Sequence, residues 1–435
     1  MSELAINGGQ PVRTKVFPAY SIIGKEEQEA VQRIMESEIL SKYLGSWEPD
    51  FYGGPEVQEF EKEWAQYFGV KHAIAVNSCT SGIQCAVGAA SISPGDEVIV
   101  SPYTMVASVT APLIYGGIPV FADIEEEYFC LDPKSIEEKI TKRTKAIIVV
   151  DIFGQPYDAD AINAIAEKHN LIVIEDCAQA PGVKYKNKYA GTLADIGIYS
   201  LNYHKHIHTG EGGVIVTDDD NLAQRLQLIR NHADAVVGGM GVEDITNMVG
   251  FNMRLTELQA AIGREQLKKL DRLVKERIEN CNYLDERLSK IPGLRAPKVR
   301  EGAEHAYYVH PLLYDEKEIG VDRDTFIDAV VAELPPIELR ESEGVRLFTG
   351  GAKPLYLLPI FQKKIAIGNK GFPFVGPHYD GEACYDKGIC PVVERIYEKE
   401  MVIDELMRPP MTKEDLDDVV RAFEKVYEHR QELKK

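Results

Sequence analysis

The sequence predicts an α/β fold: a large domain built on a mostly parallel mixed sheet covered by helices, and a smaller α+β domain at the C-terminus. Short apolar runs alternate with helical patterns between about residues 55 and 230. Such alternation is typical of a parallel sheet with helices on both faces. A long helical pattern over residues 256–288 then leads into short strands, loops and a closing helix. We therefore expect a large domain over residues 55–280 and a small domain over residues 281–435.

The N-terminal segment, residues 1–54, is expected to pack with the small domain. It contains a predicted helix over residues 25–38, where apolar side chains recur at helical spacing. A loop rich in glycine and aromatic residues follows and ends at Pro55. Residues 1–9 hold no basic stretch followed by a long apolar run, so no signal peptide is expected.

Seven strands and four helices are predicted in the large domain. The strands are expected over residues 73–76, 97–101, 118–122, 146–151, 172–175, 196–200 and 213–217. The helices are expected over residues 56–68, 80–90, 135–139 and 159–168. Ligands of such sheets bind at the carboxyl ends of the strands, in the loops that lead into helices. The functional site is therefore expected at that edge.

The small domain is expected to combine short strands with long loops. A strand is predicted over residues 307–313, and proline and glycine cluster between residues 350 and 381. Thr412 begins a predicted capping box, and the apolar residues after it recur on one helical face. A closing helix should therefore cover this domain.

Composition excludes several classes of function. The chain has 435 residues with 49 Lys+Arg against 69 Asp+Glu, a formal net charge of −20. This acidic balance argues against nucleic acid and anionic membrane surfaces as partners. The apolar run at residues 146–150 is too short to span a bilayer. The seven cysteines form no Cys-x-x-Cys pair, which predicts reduced thiols in a cytoplasmic protein.

Polar residues follow two of the predicted strands where each strand ends. Asn77 to Gly82 lead from the first strand into a helix, and their hydroxyls with free backbone N–H groups could form an anion site. Serine and threonine are also the commonest helix caps, so a plain cap is the alternative. Asp176 follows the fifth strand and either caps the next helix or points into a ligand pocket.

The loop after the sixth strand, from Ser200 to Gly213, holds Lys205 among histidines. The histidines are His204, His206 and His208. They would share a face only in an extended strand, and no paired carboxylate motif accompanies them, so no metal site is predicted. The Gly-Glu-Gly-Gly run enters a strand and lacks the Gly-x-Gly-x-x-Gly spacing of a dinucleotide site.

Together, these three junctions match the requirements of pyridoxal 5'-phosphate (PLP). Its phosphate needs hydroxyl and amide N–H donors, and its pyridine nitrogen needs a carboxylate that keeps it protonated. Its aldehyde needs a lysine for a Schiff base. The anion site, Asp176 and Lys205 would supply the phosphate donors, the carboxylate and the amine at one edge of the predicted sheet.

The chain resembles the DegT/DnrJ/StrS family of PLP-dependent sugar aminotransferases, which have the aspartate-aminotransferase fold, PLP fold type I. The resemblance covers nearly the whole chain from Asn7. Four motifs carry it in order: Asn77-Ser78-Cys79-Thr80-Ser81, Glu175-Asp176-Cys177-Ala178-Gln179, Ser200 to Gly213, and Gly250-Phe251-Asn252-Met253-Arg254-Leu255-Thr256-Glu257-Leu258-Gln259-Ala260-Ala261.

The resemblance implies a role for each matched residue. Lys205 should hold PLP as a Schiff base in a ping-pong cycle and, once free, move the proton between substrate and cofactor. Asp176 should pair with the ring nitrogen, and Gln179 should contact the ring hydroxyl. The expected phosphate ligands are the backbone of Cys79 and the side chains of Thr80 and Ser200.

One further residue implies an assembly, and two positions depart from the family pattern. Asn252 should reach the phosphate of the neighbouring subunit's PLP, which implies a homodimer with shared active sites. Where relatives carry an aromatic residue that stacks on the cofactor, this chain has Met105, a softer contact. Where relatives often have histidine, two residues after the motif serine, this chain has Asn202. These departures leave the shape of the substrate pocket open.

The resemblance implies an aminotransferase that moves an amino group from glutamate or glutamine to a keto-sugar or keto-cyclitol. The Asn-Gly-Gly-x-Pro-Val-Arg start and the long C-terminal region look closer to members that act on cyclitol ketones or aminoshikimate-type precursors, which favour glutamine. Candidates for contacts with the substrate or the donor carboxylate are Tyr307, His310, His378 and Arg254.

Two alternative functions stay open. A related branch carries histidine in place of the Schiff-base lysine and catalyses sugar 3-dehydration. Counting from Ser200 places Lys205 at that position, although His206 is one residue away. The second alternative is a cofactor-binding regulator without activity, which the complete set of Thr80, Asp176 and Lys205 disfavours.

Overall fold

The computed structural model describes residues 3–434 and confirms the predicted α/β class. Its strands, in chain order, are β1 His72–Val76, β2 Glu97–Val100, β3 Ile118–Phe121, β4 Thr144–Val150, β5 Ile172–Asp176, β6 Lys184–Tyr185, β7 Lys188–Tyr189, β8 Ile196–Ser200, β9 Gly213–Thr217, β10 Leu294–Arg295, β11 His310–Tyr314, β12 Leu347–Thr349 and β13 Met401–Asp404. β6 and β7 form a small hairpin of their own.

The large sheet has seven strands in the order β1-β9-β8-β5-β4-β2-β3. β9 is antiparallel to both of its neighbours, and the pairings from β8 through β5, β4 and β2 to β3 are parallel. All seven predicted strands are confirmed, with ends that differ by at most two residues. The parallel register brings the carboxyl ends of β4, β5 and β8 to one edge of the sheet.

The helices, in chain order, are α1 Lys25–Ser37, α2 Pro55–Phe68, α3 Cys79–Ala89, α4 Ala107–Ile114, α5 Pro133–Lys139, α6 Ala159–His169, α7 Asp220–Arg230, α8 Ala233–Met240, α9 Glu257–Leu267, α10 Leu270–Leu288, α11 Glu316–Ile319, α12 Arg323–Ala332, α13 Pro359–Gln362, α14 Pro391–Arg395 and α15 Lys413–Glu428. The predicted helices α1, α2, α3, α5 and α6 are confirmed. The sequence did not indicate α4, which contains Pro112 and β-branched residues of low helix propensity and is held by burial.

The single helix predicted over residues 256–288 is wrong, because the chain forms two helices there. α9 ends at Leu267 and α10 begins at Leu270. At the break, the Lys269 ammonium group donates to the carbonyl of Ile22 at 3.1 Å and to the Glu27 carboxylate at 2.8 Å. The turn is therefore tied to the N-terminal segment, a contact that helical periodicity cannot reveal.

Helix α3 packs closely on the large sheet through Gly82. A Cβ atom at this position would lie 2.7 Å from Cγ2 of Ile198 on β8 and 3.3 Å from Cγ1 of Ile215 on β9. A glycine is therefore required for this approach. The approach places α3 directly against the strands whose ends form the predicted site.

The small sheet is antiparallel, in the order β10-β11-β13-β12. The strand predicted over residues 307–313 is shifted, because β11 starts at His310. Tyr307 has a φ of 47°, a left-handed conformation that does not occur inside a strand. The closing helix α15 is confirmed: Thr412 and Asp415 form its capping box, and its predicted apolar face is buried.

The N-terminal segment contacts both the small domain and the large domain. Phe17 pairs with Ile337 in a short parallel bridge, and Arg13 forms ion pairs with Asp415 and Asp418 at 2.8 and 3.0 Å, so the first part contacts the small domain. Further along, α1 packs on α9, whereas Phe51 belongs to the core of the large sheet. The domain limits at residues 54 and 280 stay a prediction.

The proline- and glycine-rich loop after residue 350 extends along the β3 edge of the large sheet. The Tyr385 hydroxyl donates to the carbonyl of Pro119 on β3 at 2.8 Å. Asp123, just after β3, accepts hydrogen bonds from the backbone N–H groups of Val392 and Val393 at the start of α14. The loop therefore covers an edge that would otherwise present unpaired backbone groups.

Two further observations concern the chain as a whole. Between residues 3 and 434, none of the helices combines the length and the apolar character needed to cross a bilayer. All seven cysteines are free thiols, and Cys384 is the exposed member of the set.

His310 is a buried link between three elements. Its Nε2 lies 2.7 Å from Asp285 on α10, and its Nδ1 lies 3.5 Å from Asp404 on β13. Burial opposes protonation, but the hydrogen bonds to the two carboxylates outweigh it and raise the pKa of His310 to about 9. The imidazolium therefore ties β11 to α10 and to β13.

We expect His310 to make stability depend on pH in the alkaline range. Because its folded pKa is raised, the stabilisation is complete below about pH 6.5 and is lost as the pH rises through about 9. The shift corresponds to roughly 3 kcal/mol of unfolding free energy. Urea unfolding at pH 6 and pH 9.5 should show this loss in the native chain and not in His310→Gln. His378→Gln, which replaces an exposed histidine, serves as the control and should lose stability as the native chain does. An equal loss in the native chain and in His310→Gln would show that His310 is not the group responsible.

Candidate active site

A cavity of about 430 Å³ lies at the carboxyl ends of β5 and β8, against the start of α3. It brings together seven of the eight predicted cofactor residues: Cys79, Thr80, Met105, Asp176, Gln179, Ser200 and Lys205. Its other lining residues are Ser78, Ile83, Thr104, Ala107, Ala178, Asn202, His204, Glu211 and Tyr308. The volume falls within the range of about 300–1,000 Å³ that is usual for ligand and cofactor sites.

The start of α3 forms one wall of the cavity. Ser78 caps the helix, since its hydroxyl accepts from the N–H of Ser81 at 3.0 Å, and Ser81 Oγ donates to Asn77 at 2.6 Å. The cap is therefore Ser78, and Cys79 and Thr80 remain in the first turn facing the cavity. Their backbone N–H groups have no acceptors within the helix, and the helix dipole favours an anion at this end.

Asp176 forms the floor of the cavity at the end of β5. Its carboxylate accepts from Ser108 Oγ at 2.6 Å and from the backbone N–H of Ala178 at 3.1 Å. Burial raises the pKa of Asp176, and these two hydrogen bonds oppose the rise. No helix starts directly after Asp176 within the described chain, so the pocket alternative is favoured over the cap. A buried carboxylate here suits a cationic partner.

Lys205 lies where two cavities meet. Its backbone N–H donates to the carbonyl of Asn202 at 2.9 Å, which shapes the loop after β8. Its ammonium nitrogen lies 4.1 Å from the centre of the Tyr308 ring, a cation–π contact. A second cavity of about 280 Å³ shares Thr104, Met105, Gln179, Lys205 and Tyr308 with the first and adds Tyr103, Ile152, Phe153, Val309, Phe348, Gly351, Ala352, Ile403 and Glu405.

Of the three histidines near Lys205, His204 and His206 lie in different surroundings. His206 is buried and donates from Nε2 to the carbonyl of Ala306 at 2.9 Å, whereas His204 stacks on Tyr203 at 3.7 Å between ring centres. Burial, then Arg340 and Arg408, lowers the pKa of His204 to about 4. Across residues 3–434, the side chains with metal-ligand geometry form one group, Asp151, Glu175 and Cys177, which includes no histidine.

Three other predicted cofactor residues, Gln179, Met105 and Asn252, differ in their position relative to the cavity. The Gln179 side-chain oxygen accepts from the N–H of Phe153 at 2.7 Å, which fixes its amide. Met105 lies on the rim and is 58% exposed. Asn252 is exposed, lies outside its own chain's cavity, and accepts from Arg254 Nε at 2.8 Å. Its expected role needs a second subunit and stays a prediction.

The family of this chain follows from one match over most of its length. The model of the DegT/DnrJ/EryC1/StrS aminotransferase family matches residues 21–339. The chain belongs to this family. It is therefore an aminotransferase-family enzyme of PLP fold type I, as the motifs implied.

Several relatives resemble this family member over most of their length. Spore coat polysaccharide biosynthesis protein SpsC of Bacillus subtilis is 34% identical across 93% of this chain and 96% of its own. The L-glutamine:2-deoxy-scyllo-inosose aminotransferase of Streptomyces lividus is 37% identical across 76% of this chain and 79% of its own. Among solved structures, the aminotransferase from Psychrobacter cryohalolentis matches with a TM-score of 0.79 at 29% identity, across 95% and 99% of the two chains.

The cavity fits the cofactor on which the DegT/DnrJ/EryC1/StrS family depends, which is PLP. The start of α3 offers N–H groups and the Thr80 hydroxyl to a phosphate. Asp176 is buried, and its Oδ1 accepts one firm hydrogen bond, from Ala178, with the Cys79 thiol 3.9 Å away. That oxygen can therefore accept from a protonated ring nitrogen. Lys205 supplies the primary amine that an aldehyde requires.

None of the four candidates for substrate contacts lines either cavity of its own chain. The predictions for Tyr307, His310 and His378 are therefore wrong, whereas Arg254 is hydrogen-bonded to Asn252 and, like Asn252, stays a prediction that needs a second subunit. Tyr307 is buried and stacks on His305, and His310 joins Asp285 and Asp404. His378 lies at the far edge of the sheet, where its carbonyl contacts Gly95, and Arg254 lies over Tyr43.

The sequence missed residues that the fold brings to Lys205. Tyr308 and Glu405 lie in the small domain and carry no motif, and Ser108, which donates to Asp176, lies in the first turn of the unpredicted α4. The nearest signal in the sequence was the candidate Tyr307. Its neighbour Tyr308 is the tyrosine that lines both cavities.

Proposed function

We propose that this chain is a PLP-dependent aminotransferase that moves an amino group from glutamate or glutamine to a keto-sugar or keto-cyclitol. The observation that carries the proposal is the convergence of Lys205, Asp176 and the first turn of α3 on one cavity. An amine, a buried carboxylate and an anion site are the three groups that PLP requires.

Each group of PLP has a partner in the cavity. When bound, PLP supplies an aldehyde that links covalently to amines and a protonated ring that withdraws electrons from the substrate. Cys79 and Thr80 at the start of α3, where the dipole favours an anion, and Ser200 at the end of β8 would bind the phosphate. Asp176 accepts from the ring nitrogen and holds that proton in place, while Ser108 fixes the carboxylate.

Lys205 performs the proton transfer. When its side-chain amine is free, Lys205 would take the proton from the substrate carbon that carries the nitrogen and deliver it to the carbon of the PLP aldehyde group, and it would move a proton in the opposite direction for the keto acceptor. The Tyr308 ring lies 4.1 Å from this amine and shields it from water on that side. Burial raises the pKa of Tyr308, but the charges of Lys205 and then Arg408 lower it more, which leaves it below its ordinary value.

The second cavity is where the substrate would extend from Lys205. It is lined by aromatic and aliphatic side chains with one carboxylate, that of Glu405. A ring with several hydroxyl groups suits such a wall, because its faces are apolar and its edges can donate hydrogen bonds. The relatives that act on 2-deoxy-scyllo-inosose with L-glutamine support a keto-cyclitol as acceptor and glutamine as donor.

The proposed working form is a cytoplasmic homodimer with shared active sites. Asn252 is exposed and would complete the phosphate site of a second copy, as family members imply. Large apolar side chains are exposed in the neighbouring loops, among them Leu44, Trp47 and Val249, and Met105 is exposed on the cavity rim. Exposed apolar surface of this kind marks interaction sites. An active monomer saturated with PLP would contradict the shared site.

The test is transfer of nitrogen from labelled glutamine. With ¹⁵N in the α-amino group, the amino product of the correct keto acceptor should carry the label, whereas glutamine labelled in its amide should transfer none. Inosose-type ketones and nucleotide-linked keto-sugars serve as parallel acceptors. Loss of a hydroxyl group without gain of nitrogen would instead indicate the dehydratase, and no turnover with any pair would leave the regulator.

A further inference from the structure

Tyr308 lines both cavities, and within residues 3–434 its hydroxyl group forms no hydrogen bond. The centre of its ring lies 4.1 Å from the ammonium nitrogen of Lys205. Tyr103, the other tyrosine of the second cavity, differs, because its hydroxyl donates to the carbonyl of Gly350 at 2.6 Å. The hydroxyl of Tyr308 is therefore free to contact a substrate beside Lys205.

The backbone of Tyr308 is held from two sides. Its N–H donates to the carbonyl of Phe153 at 2.8 Å, and Arg277, buried on α10, donates to its carbonyl at 3.1 Å. Phe153 donates its own N–H to the side chain of Gln179 at 2.7 Å. These contacts fix Tyr308 relative to a residue that is expected to contact the cofactor ring. A group held in this way is already oriented for reaction.

Tyr308 is a stronger acid than its neighbour in the second cavity. Burial raises the pKa of Tyr103 well above its ordinary value. Burial also raises the pKa of Tyr308, but the charge of Lys205 and then that of Arg408 lower it more, to below its ordinary value. A lower pKa makes a phenol better suited to exchanging protons near neutral pH.

The other titratable side chains of the two cavities are less suited to giving a proton to a substrate. Burial raises the pKa of Glu405, but nearby arginines lower it more, to about 2, so it is ionised. Burial, then arginine charges, lowers the pKa of His204 to about 4, so it is neutral. Burial, then Asp176, raises the pKa of the Cys79 thiol far above its ordinary value. Asp176 itself is assigned to the ring nitrogen, and Glu211 is exposed to solvent.

Transfer of an amino group to a ketone requires protons to move at oxygen and nitrogen as well as at carbon. The nitrogen of the amine on the cofactor bonds to the ketone carbon, and the carbon–oxygen bond breaks. The oxygen leaves as water with two protons, and the nitrogen gives up two, so no proton is gained or lost overall. A group that gives a proton to the oxygen and takes one from the nitrogen speeds both events.

We propose that Tyr308 is a second catalytic residue, whose hydroxyl gives a proton to the departing oxygen of the keto acceptor and takes one from the incoming nitrogen. Lys205 moves the proton at carbon. In the half-reaction with the amino donor, the same hydroxyl acts in the opposite direction, as water enters and the oxo acid leaves. The inference rests on the proposed aminotransferase function and adds a proton-transfer group to it.

The first test is Tyr308→Phe, which removes the hydroxyl and keeps the ring beside Lys205. The midpoint of thermal unfolding should not change, because the hydroxyl has no partner in the described chain. Turnover of glutamine with the keto acceptor should fall about 10²-fold or more. Exchange of the α-hydrogen of glutamine with heavy water should change by less than about threefold, because it needs Lys205 and no transfer at oxygen. Equal slowing of both reactions would show a structural or shielding role and overturn the inference.

A second readout needs no turnover. In the full chain before PLP is added, the ultraviolet absorbance of tyrosinate should show a titration step below about pH 10 that Tyr308→Phe lacks. In Lys205→Met, this step should move to higher pH, because the positive charge that lowers the pKa is gone. A step that persists in Tyr308→Phe, or that stays in place in Lys205→Met, would contradict the position of the hydroxyl beside the amine.

Tyr283→Phe provides the matched control. Tyr283 lies on α10, its hydroxyl donates to Asp417 at 2.7 Å, and it lines neither cavity. The hydrogen bond to Asp417 and burial raise the pKa of Tyr283, so its titration lies above that of Tyr308. This replacement should leave the early titration step, the α-hydrogen exchange and the turnover unchanged.

The inference and the proposed function fail separately. If the native enzyme transfers ¹⁵N from glutamine and Tyr308→Phe transfers it as fast, the inference is wrong and the aminotransferase stands. If the native enzyme neither transfers ¹⁵N nor exchanges the α-hydrogen of glutamine or glutamate, the proposed function fails, and the catalytic role of Tyr308 fails with it.

Discussion

Replacing Lys205 with alanine is expected to lower turnover about 10⁴-fold or more, while the variant still binds PLP. General acid–base catalysis alone is worth about 10²–10⁴-fold, and the variant also loses the amine that links to the cofactor. Binding persists because the start of α3 and Asp176 remain. Steady-state rates with glutamine, together with PLP retained after dialysis, measure the two effects.

Lys186→Ala serves as the control for this experiment. Lys186 is an exposed lysine that pairs with Asp160, and it lines neither cavity. Its replacement should change neither turnover nor PLP content. Transamination retained in Lys205→Ala would show that another residue transfers the proton, and a complete loss of PLP would show that the other contacts do not form a site.

Asp176→Asn is expected to lower turnover about 10²–10³-fold, the usual effect of removing one electrostatic contact from a reacting group. Asparagine preserves the shape, can still accept from the N–H of Ala178 through its single oxygen and can donate from its NH2 group to Ser108 Oγ, so the cavity should survive. The amide carries no charge, so the ring nitrogen of PLP would no longer be kept protonated. The loss should appear in kcat, with PLP still attached to Lys205.

Asp195→Asn is a matched comparison at the opposite end of the same strands. Asp195 precedes β8, accepts from the N–H of Val173 at 2.8 Å, and lies outside both cavities. This replacement should leave kcat within about twofold, because it removes no charge near the cavity. If both variants lost the same activity, the loss would reflect the sheet, and Asp176 would have no specific role.

Local sequence predicted the large sheet and most of the cofactor cavity for one physical reason. Buried parallel strands are apolar runs, and the residues that follow them must lie at the same sheet edge. Asp176, Ser200 and the start of α3 therefore converge once the strands are known. Helix α4 was missed because burial, and not propensity, forms it.

The substrate side of the site could not be predicted in the same way. Glu405 and Tyr308 reach Lys205 only through the packing of the small domain on the large one, which no local pattern encodes. The prediction for Tyr307 and His310 was wrong because the positive φ of Tyr307 delays the start of β11. Those two side chains consequently lie in the small-domain interior, away from the cavity.

The central claim is that this cavity holds PLP on Lys205. The most direct measurement is borohydride reduction of the PLP-loaded enzyme, followed by peptide mapping with mass spectrometry. We expect one stable pyridoxyl group per chain, on the peptide that contains Lys205 and at that residue. A label on any other residue, or PLP bound with no label at all, would contradict it.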